Sequence, residues 1–149
     1  MRRRFTMEYE ILEKIPSAEE YNQLRKSVGW GIYESDVIDK ALPNSLFSVC
    51  AFVNDEIVGM ARIIGDGGLV YYIQDLIIKP KYQRQGMGKT LMNKIMEYIR
   101  THASHNSIIG LMSAKGKESF YEKYGFINRP TEIFGSGMTM FWTNGKADT

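Results

Sequence analysis

Eight consecutive residues, Gln83-Arg84-Gln85-Gly86-Met87-Gly88-Lys89-Thr90, have the make-up of an anion-binding turn. Two glycines let a ligand come close to the backbone. The residues that follow carry a helical pattern, with Leu91, Met92, Ile95, Met96 and Ile99 on one stripe and Asn93, Lys94, Glu97 and Arg100 opposite. The first N–H groups of such a helix have no partner within it and lie at the positive end of its dipole, which suits a phosphate or pyrophosphate. Arg84 and Lys89 add positive charge there. Ahead of the octet runs an apolar stretch, residues 73–78, closed by Lys79-Pro80. The order is therefore strand, glycine-bearing loop, helix.

Three phosphate-loop patterns can be laid on these letters. The dinucleotide pattern G-x-G-x-x-G fails, because its third glycine falls on Leu91. The nucleoside-triphosphate pattern G-x-x-x-x-G-K-S/T has Gly88, Lys89 and Thr90 in place, but its first glycine falls on Gln83, where the turn needs glycine. The pattern Q/R-x-x-G-x-G/A fits throughout, as Gln83, Gly86 and Gly88. It resembles the coenzyme A pyrophosphate loop of the GNAT acyltransferase superfamily.

The elements around the octet can be read in order. Residues 9–15 read as a strand ended by Pro16, and Ser17 with Glu20 as a capping box opening a helix over Tyr21, Leu24 and Val28. Gly29-Trp30-Gly31 breaks that helix, and Ser35 is the expected cap of a second, stopping before Pro43-Asn44. Residues 46–53 and 56–64 flank Asn54-Asp55 as a hairpin, and 69–78 follow the Gly65-Asp66-Gly67-Gly68 turn as a third strand. The octet's helix should end within 100–104, and 107–114 should return as a buried strand parallel to the one ending at Ile78. A short helix is expected over 117–124 with Gly125 as its stop, then strands at 126–128 and 138–143 around a loop at 129–137. Residues 1–7 and 144–149 read as tails.

The segment Phe120-Tyr121-Glu122-Lys123-Tyr124-Gly125-Phe126 resembles a second GNAT motif, F-Y-x-x-x-G-F, and comes in the family's order after the loop, helix and strand. The resemblance covers about residues 9–142 and is sharpest over 73–126. It implies one α/β domain with the GNAT fold: a mixed, mostly antiparallel central sheet with a splayed parallel strand pair, flanked by helices. It also implies an acetyl-CoA-dependent N-acetyltransferase, with coenzyme A as co-substrate and no metal. Pantetheine would lie in the splay as a pseudo-strand along Leu76, Ile77 and Ile78, a form of strand addition. A backbone N–H near Leu76 or Ile77 would face the thioester oxygen. Residues 84–90 would hold the pyrophosphate, with Gln83, Phe120, Tyr121 and Lys123 completing the cofactor contacts. Tyr121 matches the family's general acid, and Tyr124 would pack. Asp75 either takes the amine's proton or only bonds backbone across the parted strands.

The acceptor side is expected at Trp30, Tyr33, Tyr71, Tyr72 and the loop carrying Phe134. These rings either point to an aryl-alkyl amine or are plain core. The leading expectation is a small-molecule primary amine; a protein or peptide acceptor and a non-catalytic coenzyme A-binding module are the alternatives. A thiol-buried Cys50 and solvated His102 and His105 complete the reading, and Lys115 and Lys117 either contact phosphates or line an exposed turn.

Size and composition agree with a single soluble domain: 149 residues, 44% hydrophobic, 24% charged. A net charge of +2 is too small to make nucleic acid the main partner. One cysteine excludes an internal disulfide and a cysteine-based metal site. No run is long enough to span a membrane, so the expected location is cytoplasmic. The family admits a homodimer. Met1-Arg2-Arg3-Arg4 reads as a loose tail or an early start, with Met7 an equally natural beginning.

Overall fold

Ser17 opens the first helix as the sequence predicts: its Oγ accepts from Glu20 N, and Glu20 Oε1 accepts from Ser17 N. Reciprocal capping of this kind fixes where the chain leaves β1 (Glu10–Leu12) and enters α1 (Ala18–Ser27). The structure, a computed structural model, describes residues 8–148. Met1-Arg2-Arg3-Arg4 and Met7 lie outside them. The chain divides into two compact units, Met1–Leu111 and Met112–Thr149.

In the first unit α2 (Ser35–Ala41) follows α1, and a 3-10 turn over Leu42–Asn44 ends it at Pro43. Ser35 is the first helical residue; the cap position is Glu34, with no side-chain hydrogen bond. Three long strands come next: β2 (Phe47–Val53), β3 (Glu56–Gly65) and β4 (Val70–Ile78). Asn54 and Asp55, both at positive φ (48° and 64°), make the tight turn between β2 and β3. Asp66 Oδ1 accepts from the backbone N–H of Gly68, Leu69 and Val70, closing the next turn. A short 3-10 turn (Pro80–Tyr82) leads to α3 (Met87–His102), and β5 (Ile108–Leu111) completes the sheet.

The five strands lie in chain order, antiparallel from β1 to β4, with β4 and β5 parallel. Helices cover both faces of the sheet over β2 to β4, while β5 is only partly buried, not the buried strand expected. Cys50, Phe52, Met60 and Ile77 pack with Tyr21 and Leu24 of α1 and Ile38 of α2. Their neighbours Val49 and Ala61 point the other way, toward α3, which packs over β2, β3 and β4. On that helix Leu91, Met92 and Ile95 are fully buried, each contributing about 1.5–3 kcal/mol by area. Gly59 lets α3 approach, since a Cβ there would meet Leu91 Cδ1 at 3.2 Å and Ile78 Cδ1 at 2.9 Å.

The second unit holds α4 (Glu118–Glu122) and an antiparallel pair, β6 (Phe141–Thr143) with β7 (Lys146–Asp148). Gly125 at φ +96° stops α4 as expected. Several expectations change, and the strands over 9–15 and 138–143 shrink to Glu10–Leu12 and Phe141–Thr143. The expected strand over 107–114 is only Ile108–Leu111, and 126–128 form no strand. Residues 144–148 are not a tail: Asn144 and Gly145, at φ 52° and 78°, form a two-residue hairpin turn into β7.

Candidate active site

β4 contains the irregularity on which the site depends. Met60 faces Ile77 and Arg62 faces Gln74, so two steps on β3 match three on β4, a bulge at Asp75 and Leu76. Asp75 takes φ +59°, a left-handed value that a non-glycine residue rarely adopts. The extra residue reverses the alternation of side chains. Tyr71 reaches α3, donating from its hydroxyl to His102 O at 3.2 Å, and Ile78, seven residues on, also meets the Leu91 side. Without the bulge an odd separation would put them on opposite faces.

Pairing with β5 covers only the first part of β4, from Val70 opposite Ile108 to Ile73 opposite Leu111. Beyond Ile73 the ladder to β3 continues alone. Lys79 N donates to Val58 O at 2.8 Å, so the strand's alternation turns Ile77, opposite Met60, toward β3. Ile78 and Leu76 therefore turn their amides outward, away from β3. Of the three strand residues expected to meet a ligand, Leu76 and Ile78 offer amides on the open edge and Ile77 does not.

That edge runs into the octet. Tyr82 and Met87, both buried, pin the loop at its two ends. Arg84 (φ +62°) and Gly86 (φ +82°) turn the backbone left-handed, and Gly86 is the cap position of α3, with no side-chain cap hydrogen bond. The first turn carries no acidic residue. Thr90 N donates to Gly86 O, which leaves the earlier amides of Met87 and Gly88 without intrahelical acceptors. Several side chains expected to touch a ligand brace the loop instead. Gln83 Nε2 donates to Ile78 O at 2.9 Å, Gln85 Nε2 to Lys81 O at 3.4 Å, and Thr90 Oγ1 to Gly86 O at 3.0 Å. Tyr9 adds a tether, its hydroxyl 3.0 Å from Thr90 Oγ1. Met87 can contribute only backbone. Arg84 and Lys89 are exposed and supply charge. Uncapped amides, a left-handed glycine and two cations fit a pyrophosphate, and the open edge of β4 fits an extended amide-bearing arm.

Asp75 does not bond backbone across parted strands. Its side chain is buried, and Oδ2 accepts from Arg62 Nε at 2.7 Å and from the Tyr21 hydroxyl at 2.8 Å. Oδ1 accepts from Gln74 Nε2 at 3.3 Å and lies 3.7 Å from Arg25 Nη1. Arg62 Nη1 also donates to Ser45 Oγ at 3.2 Å. Burial and the neighbouring Asp75 carboxylate push the Tyr21 hydroxyl up to about 12, so it stays protonated and donating. These donors occupy both carboxylate oxygens.

Trp30 and Tyr33 are brought together by a residue the sequence reading missed. The Arg25 guanidinium lies 5.4 Å from the Trp30 ring centre, 4.7 Å from Tyr33 and 5.8 Å from Tyr21. Its Nε donates to Gly31 O at 2.6 Å, while Asn22 bonds both the N–H and the carbonyl of Tyr33. Tyr72 lies on the paired part of β4, between Ile64 and Gly110.

In the second unit Tyr121 packs edge-on against Phe120 (5.1 Å) and Phe126 (6.2 Å), and burial raises its hydroxyl above the usual tyrosine value. Within this unit no hydrogen bond engages that hydroxyl among the described residues. Lys123 closes α4 and is exposed. Phe134 lies under the Arg129 guanidinium at 5.2 Å, in a turn where Thr131 Oγ1 accepts from Ile133 N and Phe134 N. Cys50 is inert: its thiol donates to Lys14 O, and burial pushes it up to about 12. The His102 ring stacks on Tyr98 at 3.9 Å. Among the described residues no cluster of His, Cys, Asp or Glu could hold a metal ion, and no helix is long and apolar enough to cross a membrane.

Comparison with known proteins agrees with this architecture. The acetyltransferase (GNAT) domain model matches residues 21–141. The uncharacterized N-acetyltransferase ycf52 of Pyropia yezoensis is 33% identical over 127 residues, 83% of this chain and 70% of the relative. A probable acetyltransferase from meticillin-resistant Staphylococcus aureus, of unknown function, superposes with a TM-score of 0.83 at 33% identity, covering 91% of this chain and all of that one. A GNAT-family acetyltransferase from Streptococcus pneumoniae superposes at 0.73 and 29% identity, covering 93% of this chain and 100% of that one. The chain belongs to the GNAT family and is an N-acetyltransferase.

Proposed function

We propose that the protein moves an acetyl group from acetyl-CoA to the primary amine of a small molecule by direct attack on the thioester. The observation that carries this reading is the open β4 edge beyond Ile73, continuous with an uncapped helix start at Gly86. Acetyl-CoA, when bound, supplies the activated acyl group. Amides of Met87 and Gly88 hold its pyrophosphate, and those of Leu76 and Ile78 face its arm. The Leu76 N–H is the donor to the acyl oxygen as negative charge develops there. The amine nitrogen bonds to the acyl carbon, the carbon–sulfur bond breaks, and Tyr121 protonates the departing sulfur. The amine's proton leaves through water and restores Tyr121. Tyr121 is assigned this role on its motif. Asp75 is assigned to hold the bulge.

Calorimetry with acetyl-CoA and with ATP tests the cofactor, and a thiol-release assay over small amines and peptides tests the acceptor. Acetyl-CoA should bind, ATP should not, and thiol release should follow small amines. No affinity for acetyl-CoA would sink the reading, and release with peptides alone would move the acceptor to proteins.

A further inference from the structure

The buried charges beside the bulge do not balance. Arg25 and Arg62 bring two positive charges to one carboxylate, Asp75, and among the described residues no other carboxylate lies within salt-bridge distance of either arginine. The sharing is unequal. Arg62 holds Asp75 at 2.7 Å with a hydrogen bond, and Tyr21 takes the same oxygen. Arg25 stands 3.7 Å from the other oxygen, beyond hydrogen-bond distance. Apart from the Nε bond to Gly31 O, its donors meet no acceptor among the described residues. The side chain is nonetheless only 13% exposed, and a mostly buried guanidinium with unfilled donors is costly.

The surrounding rings are poor hosts for an ammonium group, because Arg25 already lies over one face of each of Tyr21, Trp30 and Tyr33 and its charge would oppose a second cation. A purely cationic acceptor would meet repulsion there. We infer that the acceptor is a primary amine that also bears a carboxylate, and that Arg25 binds this carboxylate while Trp30 and Tyr33 line its side chain. The guanidinium fork matches a carboxylate in two parallel hydrogen bonds, and Arg25 stands between the loop of Trp30, Gly31 and Tyr33 and Asp75, on the part of β4 beyond its ladder to β5. The inference rests on the acetyltransferase reading of the same site.

Matched pairs test it: L-phenylalanine with 2-phenylethylamine, L-leucine with isoamylamine, and L-glutamate with 4-aminobutyrate, each assayed for thiol release with acetyl-CoA. For phenylalanine and leucine, kcat/KM should exceed that of the decarboxylated partner at least about 10-fold. Glutamate and 4-aminobutyrate both keep a carboxylate and should differ less. In Arg25→Gln the preference within the first two pairs should fall roughly 10- to 100-fold, and Arg25→Lys should keep part of it. Equal or greater turnover of the decarboxylated amines overturns the inference and leaves the acetyltransferase reading standing. So does acetyl-CoA binding with no turnover of any carboxylate-bearing amine. Absence of acetyl-CoA binding overturns both.

Discussion

Arg62 and Asp75 meet across β3 and β4, with Nε 2.7 Å from Oδ2 and both side chains almost wholly out of water. Each is the main counter-charge of the other. Removing one partner leaves a buried charge, so Arg62→Met should destabilise by about 3–5 kcal/mol in urea unfolding. Asp75→Asn should cost at least as much, because it leaves both Arg62 and Arg25 without a carboxylate. An Asp75→Asn variant as stable as the parent would mean that the carboxylate does not hold the two arginines.

Gly65 ends β3 with its backbone against Val70 O, where an added Cβ has no room. The neighbour is a carbonyl of the turn that Asp66 organises, and it cannot swing aside as a side chain could. Gly65→Ala should cost about 1–3 kcal/mol and lower the melting temperature by several degrees. Gly67→Ala meets no atom and should cost only its φ of +79°, about 1–2 kcal/mol. An unshifted melting temperature for Gly65→Ala would contradict the packing described.

At the loop, Gly86 combines positive φ with open space around the missing Cβ. Gly86→Ala should keep the fold, since an added Cβ meets nothing within 4 Å, and still weaken acetyl-CoA binding about 10-fold or more by straining the turn that aims the Met87 and Gly88 amides. Calorimetry beside a circular dichroism melt separates the two effects. Binding unchanged in a folded variant would take the α3 start out of the cofactor site.

Tyr121→Phe removes one hydroxyl and keeps the ring contacts with Phe120 and Phe126. If that hydroxyl protonates the leaving sulfur, kcat should fall by about 10²–10⁴ with acetyl-CoA affinity intact. Turnover at the wild-type level would remove Tyr121 from the reaction.

How far the sequence reveals this site depends on how local each feature is. The Ser17–Glu20 cap, the Asn54-Asp55 turn and the strand–loop–helix around Gly86 are written within a few residues and were readable. The Asn144-Gly145 hairpin is equally local, but a short polar chain end carries little apolar alternation to mark it as a strand. The Arg25–Asp75–Arg62 cluster joins residues far apart in the chain, and no local pattern specifies it. One clue was present: Arg62 and Asp75 are opposite charges inside two neighbouring apolar strands, and such charges stay buried only when paired. Arg25 carried no comparable mark, because an arginine near the end of a surface helix is ordinary.

Alkaline pH offers a test of the core on the α1 side. Burial raises both Cys50 and Tyr21 to about 12, from ordinary values of 9.0 and 10.0. Both groups become charged on losing a proton, and the fold disfavours that charge. Their contribution is therefore complete below pH 9 and is lost as pH climbs through the window up to about 12. Each group lowers stability by at most about 1.4 kcal/mol per pH unit within its window. Between pH 9 and 10 the steepening belongs mainly to Cys50, since Tyr21 begins to matter only above 10. Cys50→Ala should be less stable at pH 7, through the lost packing, yet flatter than the parent from pH 9 to 10 in urea unfolding. A variant as steep as the parent over that interval would place the alkaline transition in some other group.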